Sequence, residues 1–302
     1  MHSHNLPLIA QRFLNQPLCM HPSRAPMLIA ALNQRIGVNA IQYGENEYGR
    51  EEMAMLADAG RNEAGVRQAR RVSGKTFQET EGVAIIPVEG TLANTYGLDP
   101  ESGFTGYDGI ETKVLDAEND PSIRAKALVI DSGGGDVAGL FDLVDLIWSL
   151  NGKNGGKPTY AICADHAYSA AYALATAADK VWVPRTGGVG SVGVITLHAD
   201  YSEQLKSNGI KVTVIRAGEE KFRSHPAEPL PEHTLAHIQG QIDDIREIFI
   251  ETVARNMGVS KKSVRETEAL DYMGLQAKAI GFVSDVGSKH QAWGSIISAI
   301  SR

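Results

Sequence analysis

Cysteine is nearly absent from this chain of 302 residues: only Cys19 and Cys163 occur, far apart and outside any Cys-x-x-Cys pattern. Neither a disulfide framework nor a structural zinc site has support, and two free thiols in a reducing compartment are expected. Basic charge is also short, with 29 Lys and Arg against 36 Asp and Glu and a net charge of -7. That argues against a broad nucleic-acid footprint, since such surfaces are normally basic. No apolar run approaches the roughly 18 residues that span a bilayer. The opening Met1-His-Ser-His-Asn-Leu-Pro-Leu-Ile-Ala has no basic start leading into an apolar stretch and a small-residue cleavage site, so no secretory signal or membrane anchor is expected. These absences point to a cytoplasmic protein with protein or peptide partners. Also missing is a Gly-x-Ser-x-Gly elbow, which would imply histidine as the base for a serine nucleophile.

What the chain has is 43% hydrophobic residues, enough for a sizeable core. Apolar residues recur at loosely helical spacing from Leu6 to Leu32, broken by His21-Pro-Ser-Arg, which predicts two short helices in a segment spanning residues 1–38. Residues 39–82 are polar, charged and dotted with glycine, and read as a flexible linker. At Val83-Ala-Ile-Ile-Pro-Val the composition changes sharply, and a globular domain over residues 83–302 is expected. Within it, Ala127–Asp131, Thr159–Cys163, Lys180–Pro184, Val192–Thr196 and Val212–Arg216 are short apolar runs suited to buried strands. Helical patterns lie between several of them, at Tyr107–Asn119, Val137–Leu150, Ser169–Ala178 and Tyr201–Asn208. The alternation predicts an α/β fold built on parallel β-α units. A longer helical pattern after Pro231 runs to Met257 and stops at Gly258, long enough for an outer helix or a subunit interface.

Four features bear on chemistry. Asp131-Ser-Gly-Gly-Gly-Asp136 joins a strand to a helix, and its glycines permit close approach and amides aimed at an anion; a plain tight turn explains them equally well. Ser169, in Asp165-His-Ala-Tyr-Ser-Ala-Ala-Tyr, opens a helix of small residues and reads locally as either a helix cap or a nucleophile at a helix N-terminus. Lys221, in Ala217-Gly-Glu-Glu-Lys-Phe-Arg-Ser, would by itself be a solvated loop lysine. Gly188-Val-Gly-Ser-Val-Gly193 matches a dinucleotide fingerprint literally, but the β-rich Val194-Ile-Thr-Leu follows instead of a helix. His233 and His237 have metal-compatible spacing without a third ligand, and His166 reads as a pocket-rim residue near Ser169. No metal and no cofactor is expected.

The order of motifs resembles the signal peptide peptidase A family, whose fold is that of the Clp protease and crotonase superfamily. The matching features are Asp131-Ser-Gly-Gly-Gly, Tyr168-Ser-Ala-Ala-Tyr, Ala177-Ala-Asp-Lys-Val, Gly190-Ser-Val-Gly-Val, Ile215-Arg-Ala-Gly-Glu-Glu-Lys and Gly274-Leu-Gln-Ala-Lys-Ala-Ile-Gly-Phe-Val, spread over Val83 to Gly287. The stretch Leu14-Asn-Gln-Pro-Leu-Cys-Met-His-Pro-Ser-Arg-Ala also looks like the prefix of the prohead proteases of tailed phages. The resemblance implies a repeated β-β-α core with an N-terminal helical extension, and a serine endopeptidase with Ser169 as nucleophile and Lys221 as general base. It further implies that Ser191 orients the lysine and that an oxyanion hole forms from the amides of Gly135 and Ala170, with Gly134 the alternative to Gly135. Two positions depart from many relatives: Gly133 stands where they have proline and Ala170 where they have glycine, and both keep the backbone amides available.

Charge sets a condition on that mechanism. A lysine at its ordinary pKa of about 10.4 is protonated, and bringing it to roughly 7–8 requires burial costing on the order of 4 kcal/mol in the ionised state. Lys221 should therefore be desolvated, with Glu219 and Glu220 turned away. The resemblance implies substrates among scaffold, portal or capsid proteins or the chain itself, a homo-oligomer, and action in the host cytoplasm within the procapsid. Two other readings remain: a capsid-assembly protein with a vestigial site, and a crotonase-like enzyme acting on acyl-CoA.

Overall fold

The computed structural model describes residues 16–22, 40–43, 46–49, 75–101, 103–198, 200–218, 221 and 224–301. The chain divides into two compact units: Cys19–Gly193 with Phe249–Arg302, and Met1–Leu18 with Val194–Ile248. In chain order the first strands are β1 (Leu18–Met20), β2 (Ala40–Tyr43), β3 (Asn46–Gly49), β4 (Gln78–Thr80), β5 (Val83–Ala93) and β6 (Phe104–Gly106). Helix α1 (Tyr107–Asn119), β7 (Ala125–Asp136), α2 (Leu140–Ser149), β8 (Thr159–Tyr168) and α3 (Ala170–Thr176) follow. Then come β9 (Lys180–Val183), β10 (Gly188–Gly190), α4 (Ser202–Ser207) and α5 (Glu232–Met257). The last elements are α6 (Lys261–Arg265), β11 (Asp271–Met273), α7 (Gly274–Ala279), β12 (Asp285–Val286) and α8 (Lys289–Ile300).

The larger unit is α/β. Its sheet runs β11-β10-β8-β7-β5-β4, and β5, β7, β8 and β10 pair in parallel along it. Strand β7 opens Ala-Lys-Ala-Leu-Val-Ile with almost every residue buried, as a strand covered on both faces requires. The coverings follow from strand alternation: Val83, Ala125, Ala127, Tyr160 and Ile162 pack with Ala292 and Ile296 of α8, whereas Ala84, the neighbour of Val83, packs with Ala117 of α1. Helix α2 buries Leu140, Leu143, Val144 and Ile147, one stripe at helical spacing. Helix α3 is buried all round, and Tyr172 within it donates its hydroxyl to the Phe282 carbonyl at 2.8 Å. That bond ties two motifs far apart in sequence. Ser288 and Gln291 form a reciprocal capping box that starts α8.

Two β-irregularities shape the site. Register shifts fall between Glu89 and Thr91 and between Ile130 and Ser132, so adjacent strands bend at the same level. Strand β8 then forks, pairing β9 through Tyr160–Ile162 and β10 through His166–Tyr168.

Several expectations change. Asp131–Asp136 is the bulged end of β7, and the chain turns later, through Gly139 at φ 79°. Val192–Thr196 and Val212–Arg216 form no strand; Val212 and Ile215 are 44% and 94% exposed, so that apolar run has no sheet to enter. Inside the expected linker, β2 and β3 make an antiparallel hairpin and β4 pairs with β5, which places ordered sheet ahead of Val83. The two expected N-terminal helices fall largely outside the described residues, and the segment between them contains β1. Helix α5 matches its pattern and ends at Gly258, which takes φ 70°.

Candidate active site

Ser169 follows the last residue of β8 and precedes α3. Its side chain makes no capping hydrogen bond, which removes the helix-cap reading, and its backbone sits at φ 54°, ψ -120°. A non-glycine residue in such a conformation costs about 1–3 kcal/mol and persists where surrounding structure enforces it. Here the enforcement is visible: the Ser169 amide donates to the Gly190 carbonyl at 2.8 Å, and Ala173 closes the first helical turn on the Ser169 carbonyl at 3.0 Å. Ser169 is 0% exposed, and its Oγ lies 3.5 Å from the Gly193 carbonyl.

Ser191 reaches the same place through register. Gly190 pairs with Tyr168 in the parallel β10–β8 ladder, so the residue after each, Ser191 and Ser169, leave the sheet side by side. Ser191 is also at positive φ, 56°, and is held by its amide to Leu270 and its carbonyl to Gly193, at 3.0 and 2.9 Å.

The bulged end of β7 supplies the third part. Ser132 donates its hydroxyl to the Gly90 carbonyl at 2.6 Å and accepts the Gly134 amide at 3.1 Å. Gly134 is at φ 98°, and a Cβ there would overlap the Cys19 carbonyl and lie 3.1 Å from the Ala170 amide nitrogen. Gly135 packs against the backbone of Leu92, its partner in β5. The Gly134 amide is engaged by Ser132, and a side chain at Gly134 would meet the Cys19 carbonyl. Ala170 opens α3, whose first amides have no acceptor within the helix.

Lys221 behaves differently from its expectation. It belongs to the smaller unit, is exposed, and donates its amide to the Gly218 carbonyl at 3.1 Å in a turn. The burial that a basic lysine needs is not present at this residue. Glu219 and Glu220 lie outside the described residues. His166 faces two carboxylates, its Nδ1 3.4 Å from Asp131 Oδ1 and 3.5 Å from Asp165 Oδ2, and its ring stacks on Tyr168. Gly188–Gly190 is a strand with no helix after it, so no dinucleotide turn forms.

One site residue was not visible in the sequence. Cys19, 0% exposed on β1, lies close to Ser169; burial pushes its thiol far above the usual range, and Ser169 offsets part of that push. The signal that could have found it is the apolar Leu18-Cys-Met run set between Pro17 and Pro22.

A family model described as peptidase family S49 matches residues 151–297. The chain is related to peptidase family S49. The matched S49 segment contains Ser169, Ser191 and Lys221, while the Asp131–Asp136 strand end lies ahead of it. The capsid assembly protease C of Escherichia phage lambda is 34% identical over 93% of this chain and 63% of that protein. The head-tail preconnector protein GP5 of Enterobacteria phage P21 is 33% identical over 98% of this chain and 58% of that one. The chain thus spans about three fifths of the length of these two relatives. Among solved structures, an enoyl-CoA hydratase/isomerase family member aligns with a TM-score of 0.43 at 15% identity, over 75% of this chain and 76% of the other. No helix among the described residues is long and apolar enough to cross a membrane.

Proposed function

We propose that this chain is a serine endopeptidase of capsid maturation, with Ser169 as nucleophile and Lys221 as general base. The observation that carries the reading is the backbone of Ser169: a non-glycine residue at φ 54° with no capping bond, beside the Ala170 amide. Attack by its oxygen on a peptide carbonyl would place the developing oxyanion toward the amides of Ala170 and Gly135, the preorganised charge stabilisation that acyl transfer needs. Ser191 is the positioning residue for the lysine amine. Lys221 must lose its water to act, so its segment has to become covered when substrate binds or copies of the chain assemble.

The name of one phage relative, a capsid assembly protease, supports a protease role in capsid assembly; the substrates proposed on that basis are scaffold, portal or capsid proteins or the chain itself, processed by a homo-oligomer within the procapsid in the host cytoplasm. The test is co-expression with the neighbouring head proteins. Wild type is expected to process a scaffold and Ser169→Ala to leave it whole with its fold unchanged; undiminished processing by Ser169→Ala refutes the reading. A capsid-assembly protein with a vestigial site would give no processing with either form. An acyl-CoA enzyme would bind coenzyme A, which this reading predicts does not happen.

A further inference from the structure

The sequence Pro17-Leu-Cys-Met-His-Pro22 sets three apolar residues between prolines, and a residue before proline is driven to extended backbone. Leu18–Met20 is a strand and is buried: Leu18 and Cys19 are 0% exposed and Met20 3%. It joins β7 at the glycine end of that strand, His21 giving its amide to the Gly133 carbonyl at 2.7 Å. Strand addition of this kind is a general way for a protein to hold an extended peptide.

Three contacts set the Cys19 peptide at the nucleophile. The buried Cys19 side chain comes close enough to Ser169 for the serine to offset part of the upward push that burial gives the thiol. The Cys19 carbonyl lies against Gly134 in the place a Cβ would fill, and that place is 3.1 Å from the Ala170 amide nitrogen. The Cys19 carbonyl and the Ala170 amide thus flank the same point beside Gly134. Two residues along, the His21 ring stacks on Tyr168 with centroids 4.5 Å apart and planes at 29°, and its Nε2 is 3.4 Å from Asp271 Oδ1. An aromatic face and a carboxylate thus grip the residue two places beyond Cys19.

We infer that residues Cys19–His21 are held as a substrate, and that the chain cleaves itself between Cys19 and Met20. The inference rests on Ser169 being the nucleophile proposed above. In the reaction the Ser169 oxygen bonds to the Cys19 carbonyl carbon and its proton passes through the base to the nitrogen of Met20. The Cys19–Met20 bond breaks, releasing Met20 as a new amino terminus. Water then attacks the ester, giving the Cys19 carboxylate and restoring the Ser169 hydroxyl, with no change of oxidation state. The same geometry gives the substrate class: extended segments with a small apolar residue before the cut and a ring, imidazole above all, two residues after it.

The test uses the full chain and its Ser169→Ala form, read by intact mass and N-terminal sequencing. In a second arm, a synthetic peptide of residues 14–25 is added to wild type, so that no result depends on a variant folding. Wild type is expected to lose residues 1–19 and begin at Met20, Ser169→Ala to stay whole, and the peptide to be cut at the same bond. If wild type stays whole and the peptide is uncut while Ser169 still reacts with a fluorophosphonate, the self-cleavage inference falls and the peptidase reading stands. If Ser169 takes no probe, both fall. A cut at Met20 that persists in Ser169→Ala assigns it to another protease and overturns the inference.

Discussion

Asp179 lies in the motif Ala177-Ala-Asp-Lys-Val, and its hydrogen bonds give it a structural role. Its carboxylate accepts three backbone N–H groups: Gly152 at 2.8 Å, Lys153 at 2.8 Å and Thr159 at 2.7 Å. It therefore fastens the loop after α2 to the start of β8. Asp179→Ala removes all three acceptors at once. Thr159 is fully buried, so its stranded amide should cost about 2 kcal/mol, while the Gly152 and Lys153 amides regain water for about 0.5 kcal/mol each. The sum is about 3 kcal/mol, or a fall in Tm of about 6–12 °C for a domain of this size. Asp179→Asn keeps one carbonyl oxygen and should lose about half as much. Urea unfolding followed by far-UV circular dichroism reads both, and reaction of Ser169 with a fluorophosphonate at 25 °C should be unaltered. A loss below about 1 kcal/mol in Asp179→Ala would refute the claim that this carboxylate is a structural clasp, since one stranded buried amide alone should exceed it.

Other outcomes follow from the same structure. Lys126 is 0% exposed, with Nζ 2.5 Å from Glu118 and 2.7 Å from the Leu150 carbonyl; Glu118→Ala should cost about 3–5 kcal/mol in urea unfolding by leaving a buried ammonium unpaired, and a loss near zero would contradict the pairing. Gly134→Ala puts a Cβ into the Cys19 carbonyl at a φ of 98°, so limited proteolysis should cut near residues 18–22 at least several-fold faster than in wild type; an unchanged rate would mean β1 does not depend on that approach. Burial holds the His198 pKa below its ordinary 6.5. Its unfolded form then binds the proton more readily, so stability contributed by neutral His198 is present above about pH 6.5 and falls as pH drops through the depressed folded value. His198→Gln should flatten that acid limb in unfolding curves between pH 7 and 5, and an unchanged limb would assign it elsewhere.

Much of the core was legible because its signals are local. The run Ala127-Leu-Val-Ile reads as a strand buried on both faces, and Tyr107–Asn119 shows its buried stripe directly in Tyr107, Ile110, Val114 and Ala117. What failed depended on context. Val212-Thr-Val-Ile has the composition of a strand, yet composition cannot supply the neighbouring edge that such a strand must pair with. The glycine run at Gly133–Gly135 has the residues of a turn, but β5 and β8 on either side keep it extended with a bulge. Ser169 and Ser191 were expected from motif order, and the parallel register between β8 and β10 sets the two residues at neighbouring strand ends. Cys19 was not found that way: the apolar Leu18-Cys-Met run marks a strand, but the closeness of Cys19 to Ser169 across 150 positions of sequence depends on β1 joining β7.

The central claim is that Ser169 is a nucleophile activated by Lys221. It is tested most directly by treating the intact chain with a serine-directed fluorophosphonate and mapping the adduct by mass spectrometry. The account predicts one adduct, on Ser169, absent from Ser169→Ala and formed at least 100-fold more slowly in Lys221→Ala, the general-base contribution being about 10²–10⁴-fold. An adduct on another serine, or labelling of Ser169 at an unchanged rate in Lys221→Ala, would contradict it.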